Sequence, residues 1–379
     1  MINLHSPKIN KSAIKYLTKC VKTSWVSTGG KLVEDFEKKI CKFTGAKYSI
    51  ACNSGTSALH ISLKLANVKP KDEVLAPTLT FIATINVILY NSCRPIFMDC
   101  DDYFNIDVQK TLEFLKTNTY QKNNFTFNKK THRRISALIV THVWGNAVDL
   151  EKLILECKKR KIKIVEDASE SLGTRYKKGK NHTGTLGTLG VISFNANKII
   201  TTGSGGIILT NDKKIAHRAK YLTTQAKNDP VFFVHDEVGY NYRMNNISAA
   251  LGLSQLKDLN LFIQKKIVIR NIYLKEMKKF KNFKIVKNPN YAINNNWLNI
   301  LKINNKKKFL RNKIIRKMHK NKIIVRPIWK PNHLQKPFKK YQSYKIKNAN
   351  QLVKTCLCLP SSPSLNSKDL YKIISNLNV

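Results

Sequence analysis

Three stretches of this chain carry residues that could do chemistry together. The first is Val191–Gly206, VISFNANKIITTGSGG. Val191 to Phe194 reads as the end of a buried strand, because β-branched and aromatic residues give way at once to small polar ones. Lys198 follows, backed by Thr201, Thr202 and the flexible Gly203–Gly206 segment. An amine held just beyond a strand end can reach into a cleft and act as a nucleophile. The chain has 68 Lys and Arg, most of them solvated surface charges, so Lys198 gains meaning only from partners.

Two partners are legible. Lys161–Ser169, KIKIVEDAS, closes on Glu166 and Asp167, where a parallel strand would reach the C-terminal edge at which such sheets bind ligands. A buried Asp there demands a cation, unless it caps the next helix. A protonated pyridine nitrogen is such a cation, and a carboxylate beside it keeps the ring electron-poor, as an electron-sink cofactor requires. Tyr48–Ala58, YSIACNSGTSA, is a strand followed by Gly55-Thr56-Ser57 and a helix carrying Leu59, Leu63 and Leu65. Backbone N–H groups and hydroxyls at a helix start suit a phosphate. Lysine, strand-end aspartate and phosphate-binding turn are together what pyridoxal 5′-phosphate needs from a protein.

The elements that must position these groups alternate. Helices are predicted near Lys11–Thr23 and Val33–Phe43, on either side of a Trp25–Gly30 turn. Strand Tyr48–Ala51, helix Ser57–Leu65, strand Glu73–Ala76, helix Phe81–Tyr90 and strand Pro95–Met98 follow. Lys116–Arg134 is polar and predicts a surface loop. The pattern resumes with strand Ala137–Thr141, helix Leu150–Arg160, strand Lys163–Glu166, strand Gly206–Thr210 and helix Lys213–Tyr221. Asn228–Glu237 predicts a mobile loop and Ile247–Leu256 a helix. Such alternation gives an α/β fold with a mostly parallel sheet covered on both faces. Asn53–Thr56, Pro77–Phe81, His142–Asn146 and Asp167 all fall past strand C-termini, as one shared site would require. From Phe262 onward Lys, Asn and Ile dominate and glycines thin out, which marks a smaller α+β domain; the expected division is 1–260 and 261–379.

Composition sets outer limits. The chain has 379 residues, 42% of them hydrophobic, and a formal charge of +45. That charge invites a nucleic-acid or anionic-membrane partner. The lysines are scattered among Asn and Ile, however, with moderate thickening around Lys302–Lys347, and no RNA-binding or zinc signature interrupts them. No nucleic acid is therefore expected. Cys20, Cys41, Cys52, Cys93, Cys100, Cys157, Cys356 and Cys358 form no C-x-x-C pair, and the last two share one face of a strand, so they read as core rather than metal ligands. The opening MINLHSPKIN has no apolar signal region, and no run approaches the roughly 18 apolar residues of a membrane span. The expectation is no membrane insertion and a reducing cytoplasm.

Over essentially its whole length the chain resembles the sugar aminotransferases among fold-type-I pyridoxal-phosphate enzymes, the DegT/DnrJ/StrS family. NSGTSAL at Asn53–Leu59, APTLTFIATINVI at Ala76–Ile88, VEDASESLGT at Val165–Thr174, SFNANKIITTGSGG at Ser193–Gly206 and GYNYRMNNISAALGLSQL at Gly239–Leu256 carry the resemblance, in the family's order. Within the family, WVSTGG at Trp25–Gly30, MDCDD at Met98–Asp102, HVWGNAVDLE at His142–Glu151 and RPIW at Arg326–Trp329 resemble most the 4-aminotransferases of the legionaminic-acid and bacillosamine type.

The resemblance implies roles. Lys198 would carry the cofactor and shuttle the proton, Asp167 would pair with the pyridine nitrogen, and Gly55, Thr56 and Ser193 would hold the phosphate. Asn241 would reach that phosphate from the neighbouring subunit of a homodimer, and Phe81 would stack on the cofactor ring. Trp25, His142, Trp144, Arg243, Arg326 and Trp329 would contact sugar or nucleotide. The implied reaction takes an amino group from L-glutamate to the C4 ketone of a nucleotide-linked 6-deoxy sugar bearing a 2-acetamido group, for surface polysaccharide or nonulosonic-acid-type sugars. An anionic nucleotide sugar would also be drawn to a basic cleft.

Departures from the family stand beside these matches. Glu170 sits near the cofactor hydroxyl where much of the family has Gln or His, Ser204 interrupts the glycine run, and Arg326-Pro327-Ile328-Trp329 replaces an aromatic–Pro–Leu–His pattern. Two alternatives are the sister sugar dehydratases, which carry histidine at the position of Lys198, and a non-catalytic nucleic-acid-binding relative. Lys198 argues against the first, and retained Lys198 and Asp167 argue against the second.

Overall fold

The computed structural model describes residues 1–28, 30–229, 231–304 and 307–378. Gly29 of the Trp25–Gly30 turn and Pro230 of the predicted 228–237 loop lie outside the described residues. In spatial order the large sheet runs Tyr48–Cys52, Gly206–Thr210, Leu189–Ser193, Lys163–Asp167, Arg134–Thr141, Glu73–Pro77, Arg94–Met98 and Ser343–Tyr344. Gly206–Thr210 runs against both of its neighbours. The remaining pairings along this path are parallel, so the mostly parallel sheet is as expected.

Cover on both faces explains why these strands read as nearly continuous apolar runs. The two-residue period of a strand decides which face each side chain joins. Ile207 and Leu209 pack with Phe36, Phe194 and Leu253, whereas Ile208 and Val191 pack with Leu59 and Leu63 on the other side. Further along, Val165 and Ile139 take that second face, and Ile164 and Leu138 turn the opposite way toward Leu153 and Phe114.

The stretch expected to be a surface loop at 116–134 is corrected. Thr119–Lys122 and Phe125–Asn128 form a hairpin, and its second strand pairs with the start of Arg134–Thr141. Asn123 and Asn124 both take positive φ, 50° and 62°, which a tight two-residue hairpin turn requires and Asn tolerates. Alternating Tyr120, Phe125 and Phe127 carried the strand signal, but neighbouring Lys and Asn masked it. Lys227–Asp229 likewise pairs with Val234–His235 inside the predicted loop, leaving Val231, Phe232 and Phe233 exposed.

The second sheet is antiparallel and smaller, in the order Phe283–Ile285, Asn299–Ile303, Cys356–Leu359, Arg326–Pro327. Helices Leu259–Met277, Leu310–Lys320 and Ser367–Ser375 contribute Ile269, Tyr273, Ile314 and Ile373 to its core, with Leu301 and Leu357. Cys356 and Cys358 are buried in its central strand. The expected line at 260 falls inside helix Leu259–Met277, and the chain crosses it twice. Ile2 belongs to the C-terminal core, exchanging hydrogen bonds of 2.8 Å with Lys322 and Ile324, while Ser343–Tyr344 returns to extend the large sheet. Among the described residues no helix is long and apolar enough to cross a membrane.

Candidate active site

Strand ends and a helix start converge on one cavity of about 690 Å³. Strand Lys163–Asp167 brings Asp167 to it, strand Leu189–Ser193 brings Ser193, and helix Gly55–Leu65 opens on it with Gly55 and Thr56. Ser54 caps that helix by accepting the Ser57 N–H at 3.0 Å. Glycine is what lets these pieces meet: a Cβ at Gly55 would stand 2.8 Å from the Ser193 Cβ, and one at Gly206 would stand 2.4 Å from the Ser54 carbonyl oxygen. The corner so formed has the shape and donors of an anion site.

Lys198 is delivered by a turn that the sequence pattern anticipated. Its N–H donates to the Asn195 carbonyl at 2.9 Å, and the Thr202 N–H closes back on the Phe194 carbonyl at 2.9 Å. Gln255 clamps the far side through both the carbonyl and the N–H of Thr201, before Gly203 turns the chain at φ +77°. The Lys198 side chain is 12% exposed, with Nζ 3.3 Å from Glu170 Oε1 and 4.4 Å from the centre of the Trp297 ring. Glu170 Oε2 also accepts the Trp144 N–H at 2.8 Å. Burial pushes the Glu170 carboxyl above the usual range; Lys198 and the Trp144 N–H pull it back, and the charge of Asp167 adds to the rise.

Asp167 is oriented by hydroxyls. Its Oδ2 accepts the Thr84 O–H at 2.6 Å and its Oδ1 the Ser169 N–H at 3.1 Å. The Thr84 hydroxyl lies 3.1 Å from that of Thr80, which donates to Thr141 at 3.0 Å. No helix follows Asp167 directly, so the capping alternative falls away. Thr80 and Thr84 lie within the quoted Ala76–Ile88 motif, one helical turn apart, a hydroxyl spacing that sequence reasoning passed over.

Glu166 faces the opposite way, as the residue next to Asp167 on a strand must. Its Oε2 accepts the Gly184 N–H at 2.8 Å, its Oε1 the Leu186 N–H at 2.8 Å with that of Gly187 alongside, and His142 Nε2 lies 2.9 Å from Oε2. Burial works against the charge, yet His142 and these N–H groups hold the Glu166 carboxyl below the usual range. His142 Nδ1 accepts the Val148 N–H at 3.0 Å, so its ring proton sits on Nε2 and is donated to Glu166. This corrects the expected substrate contact of His142: the ring is fully buried behind the site and does not line the cavity.

Four other expected residues do line it: Phe81, Trp144, Arg326 and Trp329. Phe81, 53% exposed, stands at the start of helix Ile82–Tyr90 with its ring 6.2 Å from that of Trp329. Trp329 lies 5.0 Å from Trp144, which is wedged edge-on against Phe104 at 4.6 Å with φ at +53°. Arg326 comes from the edge of the small sheet, opposite Cys358. Within one chain, Trp25, Arg243 and Asn241 are not brought to the cavity. Trp25 is 62% exposed in the turn after helix Ser12–Lys22, and Arg243 is held against Cys52, so neither reaches the cavity of its own chain. Asn241 is exposed beside the helix-start corner, its carbonyl accepting from Asn53 Nδ2 at 3.3 Å. Leu4, His5, Trp297 and Lys330 also line the cavity, and no local pattern marked them.

A mostly parallel sheet, and a lysine, an aspartate and a helix start at one strand-end edge, define a fold-type-I pyridoxal-phosphate transferase. The residues present fit that cofactor: a glycine-lined anion corner, a carboxylate oriented into the cavity, an open aromatic ring at Phe81 and an amine within the same space. The family model for DegT/DnrJ/EryC1/StrS aminotransferases matches residues 7–378, and the chain belongs to that family. It is 32% identical to the GDP-perosamine synthase of Escherichia coli, covering 100% of this chain and 98% of that protein. It is 31% identical to the UDP-4-amino-4,6-dideoxy-N-acetyl-beta-L-altrosamine transaminase of Campylobacter jejuni, covering 97% and 94%. Helicobacter pylori PseC, an aminotransferase involved in the biosynthesis of pseudoaminic acid, superposes with a TM-score of 0.88 at 25% identity over 99% of this chain and 98% of that one. The E. coli GDP-4-keto-6-deoxy-D-mannose-3-dehydratase superposes nearly as well, 0.87 at 21% identity over 100% and 99%, so the fold alone does not separate amino transfer from dehydration. Family and relatives together make this chain a pyridoxal-phosphate-dependent sugar aminotransferase.

Proposed function

We propose that the enzyme moves the amino group of L-glutamate to the C4 ketone of a nucleotide-linked 4-keto-6-deoxy hexose, a 2-acetamido sugar first among them, in two half-reactions at one site. The observation that carries this is Lys198 Nζ standing 3.3 Å from Glu170 in the cavity that Asp167 and Gly55 also line. Bound pyridoxal phosphate supplies the electron sink that makes a substrate C–H bond acidic. Asp167, oriented by Thr84 and Ser169, would hold the ring nitrogen; Gly55, Thr56 and Ser193 would hold the phosphate; Phe81 would cover the ring face. Lys198 would carry the cofactor and, once released, move the proton through Nζ. Glu170 accepts from that amine and from the Trp144 N–H, and so keeps Lys198 aimed inward between its tasks. Trp144, Arg326 and Trp329 would hold the sugar and its nucleotide, in a cavity of ordinary ligand size.

The names of the relatives, one a GDP-sugar enzyme and one a transaminase of a UDP-linked 4-amino-4,6-dideoxy sugar, support the sugar class. The Trp25–Gly30, Met98–Asp102, His142–Glu151 and Arg326–Trp329 motifs favour the legionaminic-acid and bacillosamine type, working in the cytoplasm toward surface polysaccharide or nonulosonic-acid-type sugars. In this reading residues 1–260 carry the cofactor and 261–379 close over the sugar, with the N-terminal lead-in joining the second by its pairing. Asn241, exposed beside the helix-start corner, would reach the phosphate of a second copy, making the active unit a homodimer. Purified enzyme with pyridoxal phosphate, L-glutamate and a panel of UDP- and GDP-linked 4-keto sugars should release 2-oxoglutarate and yield an amino-sugar detected by mass. No panel member gaining nitrogen, or Lys198→Ala supporting the gain as well as wild type, would sink the reading.

A further inference from the structure

Leu4 and His5 reach the cavity from the N-terminal lead-in, a segment to which no chemistry has been assigned. It is not a loose tail. Ile2 is paired with Ile323, the Leu4 carbonyl accepts the Ser361 N–H at 2.8 Å, and the Ser6 N–H donates to Ser362 Oγ at 2.7 Å. His5 is therefore fixed against the small-domain side of the cavity, its ring 6.4 Å from that of Trp297.

Both ring nitrogens of His5 are buried, and neither has a hydrogen-bond partner among the described residues. Leaving two such atoms unpaired costs free energy, and native interiors seldom tolerate it without a reason. Asp167, Glu170 and Thr84, which line the same cavity, all have partners. Burial, with the ammonium groups of Lys266 and Lys198, holds the imidazole well below its ordinary pKa; the Asn197 carbonyl pulls the other way. That carbonyl accepts the Trp297 indole N–H at 2.9 Å, and although it lies near enough to favour the protonated ring it makes no well-aligned hydrogen bond to either His5 nitrogen.

A neutral imidazole offers one N–H and one lone pair. It complements a group that both donates and accepts, such as a hydroxyl or a secondary amide, better than one that only accepts. Carboxylate or diphosphate oxygens only accept, and Arg326 and Lys330 line the same cavity for them. We propose that His5, by turning its covered ring nitrogens toward the cavity that the residue lines, binds a hydroxyl or acetamido group on the sugar ring, holding that ring beside Trp297 while its ketone faces Lys198. The proposal rests on the functional reading above and adds to it a residue that fixes which sugars fit.

The test uses the whole enzyme with His5→Phe, which keeps a ring against Trp297 without its nitrogens, and His5→Asn, which restores a donor and an acceptor. Steady-state KM is measured with UDP-linked 2-acetamido-4-keto-6-deoxyglucose and with GDP-linked 4-keto-6-deoxymannose. Quenching of tryptophan fluorescence gives affinities for UDP-N-acetylglucosamine, GDP-mannose, free UDP and free GDP, independently of turnover, and melting curves check that each variant is folded. His5→Phe is expected to raise KM and weaken sugar-nucleotide binding about tenfold, with His5→Asn recovering most of the loss. Affinity for free UDP and GDP should not follow, and the change should lie in KM rather than in the glutamate half-reaction, whose substrate has no ring to bind. Loss confined to the 2-acetamido sugars assigns the amide; loss shared by both sugars assigns a hydroxyl. Unchanged sugar affinity in folded His5→Phe, an equal loss for the free nucleotides, or no recovery in His5→Asn would overturn the proposal. Wild-type enzyme that aminates no member of the nucleotide-linked 4-keto sugar panel would instead overturn the functional reading, while the quenching arm still decides whether His5 binds sugar.

Discussion

The two walls of the cavity are built on different terms. On the strand-end wall the buried carboxylates are already held: Asp167 by Thr84 and Ser169, and Glu166 behind it by His142 and the N–H groups of the 184–187 segment. The small-domain wall is made of Trp297, Trp329, Arg326, Lys330 and His5, with the His5 nitrogens unpaired among the described residues. A wall whose polar groups are fixed in advance suits chemistry common to every substrate, because nothing need reorganise when charge moves. An aromatic wall with unmet donors suits recognition, since the ligand supplies the missing partner. Damage to the first should therefore cost rate, and damage to the second should cost affinity.

The sharpest way to break this division is Lys198→Ala. It should abolish the absorption band of protein-bound cofactor and lower kcat by at least about 10⁴-fold, because one amine supplies both the covalent hold and the proton transfer. A variant that kept the band and turned over would show that the rate-determining group lies elsewhere. Asp167→Asn comes next. It keeps the size of the side chain but offers the ring nitrogen no carboxylate, and kcat should fall on the order of 10²–10³-fold, with the sugar KM little changed. Thr84→Val, which removes the hydroxyl that donates to Asp167, should shift the cofactor band and lower kcat by about tenfold; an effect on sugar KM alone would place Thr84 on the wrong wall.

Those first residues were legible because each sits in a short local pattern. A β-branched run ending in a carboxylate, or a strand followed by Gly-Thr and a helix, states its chemistry within ten or so residues, and strand–helix alternation fixed the sheet that gathers them. The second wall has no such signature. His5 and Trp297 are neighbours only because Ile2 pairs with 323 and the Ser361 N–H holds the carbonyl of Leu4, contacts that span almost the whole chain. His142 failed for a different reason: its position past a strand end was right, but its direction was not, since the ring turns back to Glu166. The 119–128 hairpin was hidden by polar composition, although its Asn123-Asn124 turn was readable.

Acid should loosen the strand-end wall. His182 lies within the 173–188 segment behind Glu166, with Nε2 accepting the Gly173 N–H at 2.7 Å and Nδ1 2.5 Å from the Thr183 carbonyl. That neutral ring is satisfied, and burial lowers its pKa to about 3 from the ordinary 6.5. Below 6.5 the unfolded chain takes up the proton while the folded chain does not, so this contribution to stability is complete above 6.5 and is lost as pH falls toward 3. The loss is at most ~1.4 kcal/mol per pH unit. Urea midpoints from neutral pH down to about 5 should fall for wild type and fall less steeply for His182→Gln, which can still accept from Gly173. Parallel curves would mean that other groups carry the acid sensitivity.

The smallest expected effect separates the walls most finely. Trp329 is half-buried, 5.0 Å from Trp144 and 6.2 Å from Phe81, so it touches both the ring expected over the cofactor and the aromatic cluster beneath the sugar. Trp329→Leu keeps apolar contact with Trp144 but removes the flat surface on which a sugar's C–H face would lie. On the recognition reading the sugar KM should rise about three- to tenfold while the glutamate half-reaction keeps its rate. If Trp329 instead holds Phe81 in place, the glutamate half-reaction should slow as well, and Phe81→Leu should reproduce that slowing together with weaker cofactor retention. Measuring the two half-reactions in both variants therefore decides whether the boundary between rate and affinity runs between Phe81 and Trp329, or whether those two rings act as one piece.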